Sequence, residues 1–180
     1  MSKKIPVILF LSALFSFVIS AQTRKVESIY TNFGDENCRE LKNGSENGIL
    51  YTGECRGVGG YKLIFYESEH HQSLDLAAPD GKNFDLNLII SVAPSYLGKT
   101  AEWRVRKEGK KVIPIALIVR VNVRDNPDNF EKVKSYLVVT KITKEAACVV
   151  EKVPPIGKAQ NEKARLIADA SADKPCLADE

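Results

Sequence analysis

After its first 21 residues the sequence has no apolar run approaching the roughly 20 residues that a bilayer span requires, so no later transmembrane helix is expected. There is a single tryptophan, Trp103, and only two histidines, His70 and His71. No C-x-x-C spacing is present and neither histidine adjoins a cysteine, which argues against structural zinc. The G-x-S-x-G elbow is missing, as are the G-x-x-x-x-G-K-[ST] and G-x-G-x-x-G phosphate loops; Gly57-Val58-Gly59-Gly60 has neither their spacing nor a following helix. A surplus of one charge is lacking too. The 26 basic and 23 acidic residues are interspersed, without the basic face that nucleic-acid binding normally needs. No cofactor is implied.

What is present begins with Met1-Ser2-Lys3-Lys4, an apolar stretch from Ile5 to Ile19 and the small residues Ser20-Ala21. A positive start, a short apolar segment and small residues at its end predict a secretory signal peptide over 1–21. Removing it takes away Lys3 and Lys4, so the formal net charge falls from +3 to +1. The remaining residues, 22–180, predict one β-rich domain large enough to bury a core, exported to the periplasm or secreted, with no stable membrane insertion after cleavage.

Four cysteines, Cys38, Cys55, Cys148 and Cys176, predict two disulfides in an exported chain. Three pairings are open from sequence. Local loop closure favours Cys38–Cys55 with Cys148–Cys176. Oxidised cysteines would be unavailable as thiolate nucleophiles.

Eight strands are predicted, over 49–55, 61–66, 72–78, 83–88, 101–107, 112–121, 133–142 and 146–153, from alternation and β-branched or aromatic content. Pro79-Asp80-Gly81-Lys82 and Glu108-Gly109-Lys110-Lys111 read as tight turns. Around Ser95-Tyr96, just after Pro94, a short helix or irregular loop is expected. Ala164, Ile167, Ala168 and Ser171 recur at helical spacing and predict a helix over 158–172, with Pro175 beyond it. The expected fold is mainly β (α+β): an antiparallel sheet of about eight strands, a sandwich or open barrel, with a C-terminal helix.

Candidate binding residues cluster at Glu102, Trp103, Arg104 and Arg120. Pairing Glu108 with Lys111 sets Trp103 opposite Ala116, Arg104 opposite Ile115, and Arg120 on the face of Trp103. A pocket on that face would let Arg120 receive a ligand carboxylate while Trp103 packs the ligand body. The competing account is scaffold, since aromatic residues in strands mostly serve the core and a buried cation needs a partner. The same run is apolar on both faces from Val112 onward, which predicts a central strand covered on both sides, or a bulge at Pro114 where no ladder donor exists.

His70-His71, beside Glu67, Glu69 and Asp75, is the remaining catalytic candidate. Adjacent strand residues face opposite ways, so two rings from one strand do not easily converge. The carboxylate pairs Asp35/Glu36 and Asp125/Asp128 fall in loops where solvation accounts for them, and Asn43-Gly44-Ser45 matches a glycosylation acceptor.

Gly60-Tyr61-Lys62-Leu63, Gln72-Ser73, Ala101-Glu102-Trp103-Arg104, Ala116-Leu117-Ile118-Val119-Arg120 and Ala164-Arg165-Leu166-Ile167-Ala168-Asp169 together resemble a group of small exported bacterial proteins with no assigned activity. That resemblance implies an exported bacterial location and brings no site residues. The functional expectation is a non-enzymatic domain of the bacterial envelope that binds a partner protein or a small ligand. The alternatives are a carboxylate-binding protein using Arg120 and Trp103, and a hydrolase-like enzyme using His70 or His71 with a nearby carboxylate.

Overall fold

The structure, a computed structural model, describes residues 25–46, 48–126, 129 and 131–178. The predicted leader over 1–21 lies outside them, as do Asp128 and the side chains of Asp35, Asn43 and Ser45. Among the described residues, ten strands form two five-stranded antiparallel sheets, with one α-helix near the C-terminus. The first sheet has the order β1 (Val26–Asn32), β7 (Ser95–Glu108), β8 (Lys111–Val123), β9 (Lys134–Ile142), β10 (Ala147–Val153). The second has β2 (Cys38–Glu46), β3 (Ile49–Arg56), β4 (Lys62–Ser68), β5 (Gln72–Ala77), β6 (Asn83–Asp85). The fold is thus mainly β with a C-terminal helix, a sandwich of ten strands rather than eight; β1 and β2 are the additional pair.

Apolar side chains from both sheets meet in one core. Leu63, Phe65, Leu74 and Leu76 face Trp103, Val105, Leu117, Val119 and Val121, and Leu86 and Leu88 join them from the irregular segment after β6. A second core lies on the other face of the first sheet. There Ala116, Ile118, Leu137, Val139, Val150 and Val153 pack against Ala164 and Ala168 of α1 (Gln160–Asp169). Strand β8 is third of five and covered on both faces, which explains its doubly apolar sequence. The helix is shorter than the predicted 158–172: Gly157–Ala159 form a 3₁₀ turn, and α1 ends at Asp169, well before Pro175.

The β7–β8 hairpin turns as expected, with Glu108 opposite Lys111 and Gly109 at φ +60°. Its register then departs from the sequence-based pairing. Val105 lies opposite Pro114 but Arg104 lies opposite Ala116, leaving Ile115 as a bulge. Proline supplies no amide to the ladder, so the regular pairing fails there. One inserted residue reverses the facing of everything beyond it. Trp103 consequently lies opposite Leu117, and Arg120 points to the helix-covered face instead of joining Trp103.

Ser95 and Tyr96 begin β7, not a short helix or loop. The segment is held as strand by β8, where Ser95 pairs with Val123 and Tyr96 with Asn122. Both favoured disulfides are present: Cys38–Cys55 joins directly opposite residues of β2 and β3, and Cys148–Cys176 ties the C-terminal segment to β10. Disulfides of this kind persist in oxidising compartments. Among the described residues no helix is long and apolar enough to cross a membrane.

Candidate binding cleft

The four residues singled out from sequence divide among three places. Trp103 is fully buried between the sheets, its indole Nε1 donating to Thr31 Oγ1 at 2.8 Å and its ring 6.5 Å from that of Tyr61. It is core, with no surface to offer a ligand.

Glu102 and Arg104 come together on the opposite face of β7, beneath α1. Arg104 clasps Asp169 through two parallel bonds, Nε to Oδ1 at 2.7 Å and Nη2 to Oδ2 at 2.8 Å, and also donates to Ser28 Oγ. Glu102 accepts from Ser28 Oγ at 2.5 Å and from Arg165 Nε at 2.6 Å, while Arg165 also reaches the Tyr30 hydroxyl. The Asp169 hydrogen bond, followed by its charge, raises the Arg104 pKa despite the opposing effect of burial. Each ion has a partner, so the network closes on itself and fastens the helix to the sheet.

Arg120 lies farther along that face, at the start of α1. It donates to Ser135 Oγ at 2.9 Å, Gln160 Oε1 at 3.2 Å and Asn161 Oδ1 at 3.4 Å. Gln160 in turn donates to the carbonyls of Ser135 and Val153, fixing the helix start to β9 and β10. The expected pocket shared by Arg120 and Trp103 does not form, because the Ile115 bulge puts them on opposite faces of the sheet.

His70 and His71 lie where the two sheets are joined. The Ser95 amide donates to the His70 carbonyl at 2.8 Å, and His71 Nδ1 meets Ser95 Oγ at 3.0 Å. Ser68 Oγ donates to the His71 carbonyl at 2.9 Å, closing a tight turn. No carboxylate hydrogen-bonds to the His71 ring among the described residues, and no group of three His, Cys, Asp or Glu able to hold a metal occurs there. Ser95 is itself 5 % exposed. The arrangement is a Ser–His contact without the third group that orients a general base.

Beside this junction is a cleft that sequence reading did not locate. Strand β1 ends opposite Thr100, whereas β7 begins at Ser95, so β7 runs several residues past its neighbour. Gly34, at φ +106°, a conformation L side chains rarely adopt, turns the chain away toward the second sheet. Opposite Arg120, β7 bulges through Gly98, Lys99 and Thr100. An added Cβ on Gly98 would come within 3.0 Å of Arg120 Cβ, so the close approach of the strands depends on glycine. The result is a cavity of about 360 Å³ between the sheets at one end of the sandwich. That is within the usual range for small-molecule sites.

Its floor is the end of the core: Phe33, Phe65 and Leu97, with the two phenyl rings 6.1 Å apart. Its polar groups are anchored. Gln72 Nε2 donates to Glu67 Oε1 at 2.9 Å, while Gln72 Oε1 accepts the Leu97 amide at 3.0 Å, an amide that β1 no longer reaches. Glu36 and Lys99 stand at the rim. A smaller chamber of about 200 Å³ shares Glu67, Gln72 and Tyr96 with the cleft and extends past His70, His71 and Ser95 to Arg124. Larger hollows exist, one of about 450 Å³ beside Cys148–Cys176 and an open depression of about 660 Å³ around Arg39 and Lys62. The first has no aromatic ring in its wall, and the second sets Tyr61 beside a Glu54 carboxylate already neutralised by Arg39 and Lys62.

The chain matches no family model, no curated protein and no solved structure.

Proposed function

We propose that this chain is an exported, non-enzymatic binding domain of the bacterial envelope, cleaved after its leader to a single domain over 22–180 and delivered to the periplasm or secreted. Its ligand seat is the cleft at Phe33, Phe65, Leu97, Glu67 and Gln72. The observation that carries this reading is the Gln72 clamp: a side chain hydrogen-bonded at both ends sets a carboxylate beside the aromatic end of the core, where Phe33 and Phe65 are 3 % and 4 % exposed. Apolar area with a few convergent, oriented polar groups is the usual composition of a small-molecule site. The two disulfides support export, as does the amino-terminal pattern of charge and hydrophobicity.

A hydrolase-like reading on His70 or His71 has one contact in its favour, His71 Nδ1 to Ser95 Oγ. It is the weaker reading, because the hydroxyl is buried and no acid orients the imidazole.

The binding reading is tested by following backbone amide NMR signals of the disulfide-bonded protein during titration with small aromatic compounds, neutral 2-phenylethanol included. Shifts confined to Phe33, Gln72, Leu97 and their neighbours are expected. Shifts elsewhere, or none, overturn it. Export is tested by intact mass of the protein recovered from its natural compartment, where retention of Met1 would overturn the cleaved leader.

A further inference from the structure

Glu67, Tyr96 and Arg124 line the same small chamber. Glu67 is half-buried and accepts a hydrogen bond from neutral Gln72. Among the described residues no Lys, Arg or His nitrogen lies within salt-bridge distance of its carboxylate. Arg124 is exposed, with its guanidinium 5.2 Å from the centre of the Tyr96 ring, and among the described residues no carboxylate lies in ion-pair range of it. The neighbouring acid, Asp125, is taken by Lys134 at 2.9 Å. Elsewhere in the molecule, close ion pairs are common: Arg104 with Asp169, Arg165 with Glu102, Lys107 with Glu27, and Lys62 with Glu54.

Glu67 is held in position by Gln72. Arg124 is anchored through its backbone, whose amide bonds the Pro94 carbonyl at 3.0 Å, and its guanidinium rests against the Tyr96 ring. Glu69, His70 and His71 share the chamber wall, so its potential is mixed. Glu67, Gln72 and Tyr96 also line the adjoining larger cleft, whose floor is Phe33, Phe65 and Leu97.

Resting on the cleft as the ligand seat, we infer that the ligand is a zwitterion with an apolar side chain, an α-amino acid of aromatic or large aliphatic type. Its ammonium group meets Glu67, its carboxylate meets Arg124, and its side chain lies on Phe33 and Phe65. A cation at Glu67 gains charge-assisted hydrogen bonds from an acceptor already oriented, and a guanidinium matches a carboxylate with two parallel donors. One of the two gains is lost by a ligand that carries only one of the two charges. Desolvating the remaining partner then counts against binding.

The test is calorimetric titration of the disulfide-bonded chain with L-phenylalanine, phenethylamine, 3-phenylpropionate and 2-phenylethanol, with the NMR map recorded for each. L-phenylalanine is expected to bind at least tenfold more tightly than any of the other three. In Glu67→Gln, which keeps the oxygen that accepts from Gln72, its advantage over 3-phenylpropionate disappears. In Arg124→Met its advantage over phenethylamine disappears, while both variants melt as the parent does. If 2-phenylethanol or a singly charged analogue moves the cleft signals with an affinity equal to that of L-phenylalanine, the zwitterion inference falls and the cleft remains the seat. If no compound moves those signals, both fall.

Discussion

Arg104 and Asp169 are joined by two parallel hydrogen bonds that connect the middle of β7 to the last turn of α1. The arginine side chain is 10 % exposed and the aspartate 33 %, so water screens the pair only partly. Removing Arg104 leaves a partly desolvated Asp169 without its cation, and removing Asp169 leaves Arg104 with only Ser28 and Glu102, which is the costly way to break such a bridge. Arg104→Met is expected to lose about 2–3 kcal/mol in urea unfolding. Asp169→Asn, which keeps one acceptor, should lose roughly half as much on the same grounds. Equal unfolding midpoints for parent and Arg104→Met would show that the helix is held without this bridge, by the packing of Ala164 and Ala168 and by the bonds of Arg165 and Gln160.

The two disulfides differ in access. Cys55 is 1 % exposed within the core edge, whereas Cys176 is exposed on the C-terminal segment that reaches back to β10, its neighbour Leu177 donating to the Val149 carbonyl at 2.8 Å. Thiol exchange needs an approach path for the attacking sulfur. Limited reductant under native conditions should therefore open Cys148–Cys176 first, with alkylation followed by peptide mapping as the readout. Replacing both of those cysteines by serine should cost on the order of 3 kcal/mol, for a bridge spanning 28 residues of sequence. Prior alkylation of Cys38 and Cys55 would contradict the accessibility argument.

Local pattern carried most of the fold, and the exceptions share a cause. The eight strands expected from sequence have neighbours in the chain or alternate clearly, and the disulfides follow from loop closure. Strand β1 was missed because its partner, β7, lies more than 60 residues away, with Asn32 opposite Thr100. Strand β2 was missed because CRELKNGSE has little apolar alternation to announce it. Glu102 and Arg104 were visible as candidates, yet their partners Arg165 and Asp169 are 63 and 65 residues distant, so a closed scaffold network resembled an open site. The cleft depends on where β1 stops and on a Gln72–Leu97 bond between two sheets. No spacing rule reports either. The weak signals that existed were Gly34 and Gly98, each a break in an otherwise patterned stretch.

Asp75 faces Asp85 directly across β5 and β6. Burial raises the Asp75 carboxyl above its ordinary value and the Asp85 charge adds to this, while hydrogen bonds from Tyr66 and the Leu86 amide oppose it. A carboxyl whose folded value is raised holds its proton more firmly in the native state. Its contribution to stability is therefore fully present below the unfolded value of 3.8 and is lost as pH rises through the raised folded value. At neutral pH the ionised group is a cost. Asp75→Asn should melt about 2–4 °C above the parent at pH 7, the shift that a gain of ~1 kcal/mol gives a chain of this size. Below pH 3 the two melting curves should coincide. A difference that persists there would mean that packing, not charge, separates the variants.

Ile115 is the extra residue that keeps β8 in phase with β7. With it outside the ladder, Leu117, Val119 and Val121 enter the core between the sheets, and Arg120 reaches Ser135 and Gln160 beside the helix. Deleting it would leave Val105 opposite Pro114, Arg104 opposite Ala116 and Trp103 opposite Leu117, the same pairs joined without the extra residue, so each side chain would keep its facing. The chain lacking Ile115 should therefore still melt cooperatively, with the emission of Trp103 remaining blue-shifted. Ile115→Ala keeps the bulge and should retain both properties, losing only about 1 kcal/mol for a half-buried side chain. If the deletion abolishes the cooperative transition, or moves Trp103 emission to the red as the indole meets water, the extra residue is required for the packing of β8, and its facing does not rest on register alone.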